Sequence, residues 1–159
     1  SHQIGNACNY YTDETFIGEI NKRNITDVNC FYLCHINIRS MQKNLSKFDQ
    51  YLEILKFYFP CIGISETWLQ HYNCELYGLP GYSIAEKHRH DRKGGGVALL
   101  IKETINFYVR NDLGHFDSNC ESLFIEIHKD TFSLQKNIII GIMYRAPNTD
   151  VLMIYLDLS

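Results

Sequence analysis

The sequence lacks any apolar run that approaches the roughly 18–20 residues needed to cross a bilayer. Its first 28 residues contain no apolar block, so no secretory signal is visible. Basic charge is not in excess, because 15 Lys and Arg residues against 18 Asp and Glu residues leave a formal net charge of −3. The chain as a whole therefore lacks the positive field that would indicate a nucleic-acid-binding protein. Repeats, linkers and low-complexity segments are absent as well, and the composition excludes membrane-spanning, fibrous and disordered proteins.

What the sequence does contain is typical of one globular domain. Hydrophobic residues make up 45% and charged residues 21% of its 159 residues, a length that fits one domain comfortably and two only with difficulty. Residues 1–28 mix polar and aromatic residues without a clear period, so this N-terminal segment stays unassigned. Periodic patterns begin at Asn29, which places the domain over residues 29–159.

Six cysteines are present, but their spacing is irregular and none forms a C-x-x-C pair. Cys30, Cys34 and Cys61 lie within apolar runs, which favours reduced thiols in a core over disulfides or metal ligands. The seven histidines show no zinc-like pairing either, and His88-x-His90 is the nearest approach. These patterns favour a reducing, intracellular setting.

Residues 30–65 predict a βαβ unit. Residues 30–36 form a continuous apolar run, which is typical of a strand buried on both faces. Ser40 is then a candidate N-cap for a helix of about five turns that Pro60 ends. The helix is marked by one apolar stripe with spacings of three and four residues: Met41, Leu45, Phe48, Leu52, Leu55 and Phe59. Residues 61–64 form a second buried strand, which a right-handed crossover makes parallel to the first.

The later segments predict antiparallel strands, at residues 82–86, 97–101, 105–109, 122–128 and 137–145. Because residues 102–104 alone separate the second of these strands from the third, either a bulged strand or a tight turn connects them. Residues 151–158 predict the beginning of a helix. The expected fold class is therefore α/β with a mixed sheet.

Polar residues follow three of the predicted strands. Asn37 follows the first buried strand, Glu66 follows the second, and Tyr144 and Arg145 end the strand at residues 137–145. Ligands collect at such strand ends in open α/β sheets, where a carboxylate can hold Mg²⁺ and amide, phenol or guanidinium groups can contact a phosphoryl group. The alternative is that these residues are only the solvated boundary of each strand.

Five short motifs occur in order along the chain: Ile36-Asn-Ile-Arg-Ser40, Ile64-Ser-Glu-Thr-Trp-Leu69, Leu79-Pro-Gly-Tyr82, Arg92-Lys-Gly-Gly-Gly-Val97 and Tyr144-Arg-Ala-Pro-Asn148. Together they resemble the endonuclease/exonuclease/phosphatase superfamily. The S-E-T-W-L and Y-R-x-P-N elements resemble, more narrowly, the apurinic-type endonuclease domain of non-LTR retrotransposons. The resemblance runs from about Cys30 to Leu158. It implies an α/β (α+β) fold, a four-layer sandwich of two mixed β-sheets flanked by helices, here truncated at its C-terminal side.

The resemblance also implies roles for individual residues. Glu66 matches the glutamate that anchors a single Mg²⁺ or Mn²⁺ against the scissile phosphate, and Asn37 matches an asparagine that helps to position the nucleophile and the metal. Asn148 matches an asparagine that contacts the DNA backbone. The tyrosine that faces the phosphate corresponds either to Tyr144 or, in an ungapped alignment back from Asn148, to Arg145, and both are kept as catalytic candidates.

The activity implied is hydrolysis of a DNA phosphodiester by metal-assisted attack of water. DNA is then the partner and the divalent ion the only cofactor, no membrane is involved, and the site of action is nuclear. Two later elements of the family, G-D-x-N and the S-D-H that carries the general-base histidine, do not occur within the 159 residues. We therefore expect these residues alone not to cleave DNA.

The basic segment at residues 87–93 and the glycines that follow it each have a functional explanation and a simpler structural one. Arg89 and Arg92 are candidate contacts to the DNA backbone, although a solvated charged turn explains the same composition. The triple glycine at residues 94–96 is not followed by the G-K-[ST] of a phosphate loop, which favours a bend that permits close backbone approach. Trp68, the only tryptophan, is expected to pack beneath the site.

Two other functions are compatible with the same residues. One is another phosphodiesterase or phosphatase branch of the superfamily, although the contexts of Thr67-Trp68 and of Arg145-Ala-Pro-Asn148 favour the nuclease. The other is a degenerate, non-catalytic nucleic-acid-binding or scaffold module, which the missing C-terminal elements favour. Hydrolysis of a small phosphoester would distinguish the first, and the neighbouring coding sequence would distinguish the second.

Overall fold

The computed structural model describes residues 9–23, 31–88, 94–114 and 120–145, and the backbone of residues 152–156. This part of the chain forms two sheets and two α-helices and is of the α+β class. The helices are α1 (Asp13–Lys22) and α2 (Met41–Leu55). The strands are β1 (Leu33–Asn37), β2 (Cys61–Ser65), β3 (Tyr82–Lys87), β4 (Val97–Lys102), β5 (Phe107–Val109), β6 (Cys120–Ile127), β7 (Ile138–Arg145) and β8 (Leu152–Leu156).

The first sheet has four strands in the order β1-β2-β4-β3 and contains the predicted βαβ unit. Strands β1 and β2 are parallel, with Leu33 opposite Cys61 and Asn37 opposite Ser65. Strand β4 is antiparallel to both β2 and β3, so β1, β2 and β3 all run in the same direction. The carboxyl ends of these three strands therefore lie at one edge of the sheet.

The second sheet, in the order β5-β6-β7-β8, is antiparallel throughout. A tight turn leads into it from the first sheet, because the Ile105 N–H donates to the Lys102 carbonyl at 2.9 Å. Strand β8 corrects the helix predicted over residues 151–158. An apolar run of this length suits either state, and pairing of β8 with β7 from Leu152 to Leu156 decides for the strand.

Helix α2 packs its predicted stripe against the first sheet and so forms the first core, in which a fully buried aliphatic side chain contributes about 1.5–3 kcal/mol. The buried members are Ile38, Met41, Leu45, Phe48, Leu52, Phe59, Ile62, Ile64, Leu69, Leu79, Tyr82, Ala98 and Leu100. The helix is shorter than predicted, because Lys56 adopts a left-handed conformation (φ 50°) and ends it before Phe59 and Pro60. Ser40 is the N-cap residue, as predicted, but its side chain makes no capping hydrogen bond.

The two sheets pack against each other and enclose the second core. Its buried residues come from both sheets and the turn between them: Cys61, Ala85, Val97, Leu99, Ile101, Ile105, Leu123, Ile125, Ile127, Ile138, Ile140 and Ile142. Strand β1 lies at the edge of the first sheet, where His35 and Asn37 are exposed. The prediction that this strand is buried on both faces is therefore wrong, and the edge position leaves Asn37 accessible to solvent.

Helix α1 occupies part of the segment that sequence analysis left unassigned. Thr12 caps it through a reciprocal capping box with Thr15. Phe16 packs against Phe57 and Phe59, with ring centroids 5.9 and 6.1 Å away. Neither of the helices described is long and apolar enough to cross a membrane.

The cysteines that the structure describes are free thiols: Cys34, Cys61, Cys74 and Cys120. Burial raises the pKa of Cys34 to about 11 and, as the main cause, that of Cys61 to about 12. These two thiols are therefore neutral at physiological pH and serve as small apolar side chains, as their place in apolar runs predicts. Cys8 and Cys30 lie outside the described residues.

Candidate functional site

Three of the residues that the sequence singled out meet at the edge of the first sheet. The Glu66 carboxylate oxygen Oε1 accepts a hydrogen bond from Asn37 Nδ2 at 2.9 Å and another from the Tyr144 hydroxyl at 3.0 Å. Asn37 ends β1, Glu66 follows β2, and Tyr144 lies near the end of β7 in the second sheet. The partners are separated from Glu66 by 29 and 78 residues of sequence. We call Asn37, Glu66 and Tyr144 the Glu66 site.

The backbone from Glu66 to Trp68 is held from both sides. On one side, the Ser40 N–H donates to the Glu66 carbonyl at 2.8 Å and the Met41 N–H donates to the Thr67 carbonyl at 2.9 Å. On the other side, the N–H groups of Thr67 and Trp68 donate to the carbonyls of Gly96 and Gly95, at 3.3 and 2.9 Å. Ser40 therefore fixes the site with its backbone instead of capping α2 with its side chain.

Several non-glycine residues at this edge have a backbone conformation that L-residues seldom adopt. Their φ angles are 46° for Arg39, 93° for Ser40, 54° for Glu66 and 54° for Trp68. Each such residue costs about 1–3 kcal/mol and persists only where the surrounding structure holds it. The hydrogen bonds on both sides of Glu66 provide that support. Backbone strain of this kind clusters at functional sites, so its concentration around Glu66 favours the site over a solvated strand boundary.

The last of the three consecutive glycines permits this arrangement. Gly96 has φ 83°, and a Cβ atom there would lie 2.3 Å from Thr67 Oγ1. Its N–H donates to Glu121 Oε2 at 2.5 Å. Only glycine fits a position with both this φ and this close contact, so the predicted bend with close backbone approach is confirmed.

Glu121 is a site residue that sequence reasoning missed. Its side chain is fully buried, it is the second residue of β6 in the second sheet, and it lies opposite Tyr144 in the register of β6 and β7. Through Gly96 it links the second sheet to the loop that carries Glu66. The available signal was a glutamate directly before the apolar strand at residues 122–128, which is the same pattern that an exposed strand end gives.

The structure separates Tyr144 from Arg145, the two residues that the motif left as alternatives. Ile138, Ile140 and Ile142 of β7 face the second core, and Tyr144 continues that face toward Glu66. Arg145 is the next residue along β7, so it projects to the opposite face, and its side chain is exposed. Tyr144 is therefore part of the Glu66 site, and Arg145 is not brought to it.

The donor atoms of the Glu66 site suit a hard divalent cation. Both hydrogen bonds reach Oε1, and Oε2 accepts none of the hydrogen bonds described between residues of the structure. Mg²⁺ is usually bound by one or two carboxylates, with water and phosphate oxygens completing its coordination. A half-exposed carboxylate with one oxygen oriented by two donors fits that requirement.

The remaining predicted site residues cannot be placed against Glu66. Asn148, Arg89 and Arg92 lie outside the described residues, as does most of the basic segment at residues 87–93. Trp68 is half-buried, and its indole Nε1 lies near Gly94, 4.0 Å from where a Cβ atom of that glycine would be.

No protein-family model matches the chain, and no curated protein matches it significantly in sequence.

Proposed function

We propose that the Glu66 site is the metal- and phosphate-binding centre of a Mg²⁺-dependent DNA endonuclease of the non-LTR retrotransposon type. The observation that carries the proposal is the convergence of Glu66, Asn37 and Tyr144, which are distant in sequence and are the residues that the motif resemblance assigns to this chemistry. The proposal includes the finer architecture, a four-layer sandwich in which helices flank both sheets.

Each side chain of the site has a separate role in this proposal. Glu66 would hold Mg²⁺ or Mn²⁺ through Oε2, while its Oε1 stays fixed by Asn37 and Tyr144. The bound ion would supply positive charge against the phosphate oxygens. Asn37 fixes the carboxylate rotamer, and its own Oδ1 accepts from the Arg39 N–H at 3.3 Å, which fixes the amide in turn. The Tyr144 hydroxyl has a single proton, so it could donate to a phosphate oxygen beside Glu66 only by turning away from Oε1, which Asn37 would then hold alone.

Activation of water needs a general base, and the sequence does not supply the family's S-D-H element within its 159 residues. We therefore propose that these residues bind the divalent ion and the DNA phosphate but do not hydrolyse the phosphodiester by themselves. Plasmid nicking that requires Mg²⁺, stops with EDTA and is lost in Glu66→Gln would contradict this part of the proposal, while supporting the role of Glu66.

The direct test is binding of Mn²⁺, measured by electron paramagnetic resonance of the free ion, together with the Mg²⁺-dependence of binding to a short DNA duplex. Glu66→Gln keeps the size of the side chain and removes its charge. We expect it to weaken Mn²⁺ binding at this site about 100-fold or more, since the carboxylate is the ligand itself. We also expect DNA binding to lose its dependence on Mg²⁺.

The matched control is Glu53→Gln, an exposed glutamate on α2. It removes the same charge without touching the site and is expected to bind Mn²⁺ and DNA as the original chain does. If Glu66→Gln and Glu53→Gln bind Mn²⁺ equally well, the metal-binding role of Glu66 is wrong.

A further inference from the structure

A second group of metal-binding side chains lies at the end of β3. Cys74, Glu86 and His88 each offer one ligand atom, and these atoms all lie within 4.8 Å of one another. We call these three residues the Cys74 cluster. Its members are half-buried, with exposed side-chain fractions of 11% for His88 and 20% for Glu86. The sequence showed no zinc-like pairing because its Cys, Glu and His do not follow a known spacing.

Local structure explains how the cluster forms. Side chains two residues apart on an extended chain share a face, so Glu86 in β3 and His88 directly after it project to the same side. Ile84 shares that face and packs against the first core, as Cys74 does. Glu86 and His88 are therefore directed to the side of the sheet where Cys74 lies.

Cys74 is held in place by a hydrogen-bonded turn. The buried Asn73 accepts a hydrogen bond from the Gln70 N–H through its Oδ1 at 2.8 Å, and the N–H groups of Asn73 and Cys74 both donate to the Gln70 carbonyl, at 2.9 and 3.0 Å. Because the turn is fixed by its own hydrogen bonds, the position of the thiol does not depend on a bound ion. The site is preorganised on its Cys74 side.

We propose that Cys74, Glu86 and His88 bind a zinc ion, with water as the fourth ligand. Thiolate, imidazole and carboxylate are the ligands that Zn²⁺ takes in proteins, and a soft thiolate is unsuited to Mg²⁺. Tetrahedral bonds of about 2.0–2.3 Å place ligand atoms about 3.3–3.8 Å apart, so side-chain shifts of about 1 Å would close the cluster around the ion. The thiol and the imidazole each bind without a proton, and the thiol proton passes to solvent.

The zinc ion would join Cys74, in the turn at residues 70–77, to Glu86 and His88 at the end of β3, which are 12 and 14 residues further along the chain. It would therefore stabilise the fold at this edge of the first sheet. This inference does not depend on the function proposed for Glu66, because the cluster shares no ligand with the Glu66 site.

A simpler explanation of the cluster needs no metal. Glu86 and His88 already form a hydrogen-bonded pair, with His88 Nδ1 and Glu86 Oε2 2.9 Å apart. Cys74 donates to the His71 carbonyl at 3.5 Å and packs against the first core as a small apolar residue. The two explanations differ in whether the thiol of Cys74 and the imidazole of His88 bind the same ion.

Cobalt(II) is the probe that separates them, because a cobalt–thiolate bond gives a charge-transfer absorption in the near ultraviolet that Zn²⁺ removes on displacing the cobalt. The full chain is stripped of metal, kept reduced and titrated with Co²⁺. We expect one equivalent to bind with this absorption and Zn²⁺ to displace it. Loss of one ligand in Cys74→Ser or His88→Ala should remove the absorption or weaken binding by about 100-fold or more.

The matched control is His128→Ala, because His128 is more than half exposed and lies outside the cluster. Glu86→Gln retains the volume of the side chain and a hydrogen-bonding oxygen. It therefore gives a variant that folds even if Cys74→Ser, which changes a residue packed against the core, does not fold. We expect Zn²⁺ to raise the melting temperature of the original chain and of His128→Ala, but not of Glu86→Gln. A cobalt–thiolate absorption that persists in Cys74→Ser, or an unchanged Co²⁺ affinity in both His88→Ala and Glu86→Gln, overturns the proposal.

Discussion

The Glu66 site and the Cys74 cluster lie at the same edge of the first sheet but differ in their donor atoms and in how the chain holds them. Strands β2 and β3 run in the same direction, so Glu66 after β2 and His88 after β3 are brought to one edge, with β4 between the strands. The Glu66 site offers a carboxylate held by an amide and a phenol. The Cys74 cluster offers sulfur, nitrogen and oxygen. At one edge of the sheet, the donor atoms of the Glu66 site thus suit a hard ion and those of the Cys74 cluster suit a softer one.

The backbone differs as well. Glu66 has a left-handed φ of 54° and is held by residues from two other segments. Glu86 lies on a regular strand, and Cys74 lies in a turn that its own hydrogen bonds close. A site that depends on backbone strain needs the surrounding packing to be intact, whereas the Cys74 cluster uses regular local structure. Substitutions in the surroundings should therefore affect the Glu66 site more than the Cys74 cluster.

The largest effect that we expect is a difference in thiol reactivity. Burial raises the pKa of Cys34 to about 11 and, as the main cause, that of Cys61 to about 12, against an ordinary value near 9. Their thiolate populations at neutral pH fall by about 100-fold and 1,000-fold, and alkylation by iodoacetamide should slow accordingly. Cys74 should react faster than either, and Zn²⁺ but not Mg²⁺ should protect it.

Peptide mass spectrometry after short iodoacetamide exposures measures each cysteine separately. A change of the Cys74 rate with Zn²⁺ alone would support the difference in donor atoms between the two sites. Equal protection of Cys74 by Mg²⁺, or labelling of Cys61 as rapid as that of Cys74, would contradict it.

The next largest effect concerns the support of Glu66 by Gly96. Gly96→Ala forces a Cβ into a position 2.3 Å from Thr67 Oγ1 at φ 83°. The left-handed backbone and the overpacking together should reduce the free energy of unfolding by about 2–5 kcal/mol. Mn²⁺ binding at Glu66 should weaken, since the displaced loop carries that carboxylate, whereas Co²⁺ binding at Cys74 should remain.

Gly81→Ala is the control for backbone strain alone, because Gly81 has φ 78° but no atom within 4 Å of a Cβ. It should cost about 1–2 kcal/mol. Denaturant titration of both variants gives the difference due to the contact with Thr67. Equal losses in the two variants would show that the close approach of Gly96 does not support the site.

The difference between features set by local structure and features that depend on distant packing also explains how much of the fold the sequence could predict. Strands β3 to β7 and the βαβ unit were predicted because their apolar patterns are local. Strand β8 was mistaken for a helix because its apolar run suits both, and only its pairing with β7 decides. Helix α1 was missed although Thr12, two acidic residues in the first turn and Lys22 in the last turn mark its ends.

The site residues also divide into those that local sequence patterns predict and those that only the tertiary structure brings together. Their position at strand ends and the motif resemblance both singled out Glu66, Asn37 and Tyr144, and parallel pairing of β1 with β2 placed the first two together. The resemblance left Tyr144 and Arg145 as alternatives, because their opposite faces depend on the register of β7 in the sheet. Glu121 gave no sequence signal that distinguished it from an exposed strand end, and the Cys74 cluster depends on tertiary approach of a turn to β3.

The smallest effect tests how tightly the second sheet holds the Glu66 carboxylate. Tyr144→Phe removes the 3.0 Å hydrogen bond to Oε1 and leaves the ring in contact with the second core. Because the hydroxyl orients the carboxylate without being the ligand, we expect Mn²⁺ affinity at Glu66 to fall about 10-fold and the free energy of unfolding to fall by about 1 kcal/mol. Co²⁺ binding at the Cys74 cluster should be unchanged.

Tyr108→Phe provides the control, because this tyrosine of β5 is 70% exposed. It removes the same hydroxyl without altering either site. If Tyr144→Phe binds Mn²⁺ as tightly as Tyr108→Phe does, the two sheets do not cooperate in holding Glu66, and Asn37 alone orients it. If Tyr144→Phe also weakens Co²⁺ binding, the two sites are mechanically coupled. That coupling would pass through β4, the strand that separates β2 from β3.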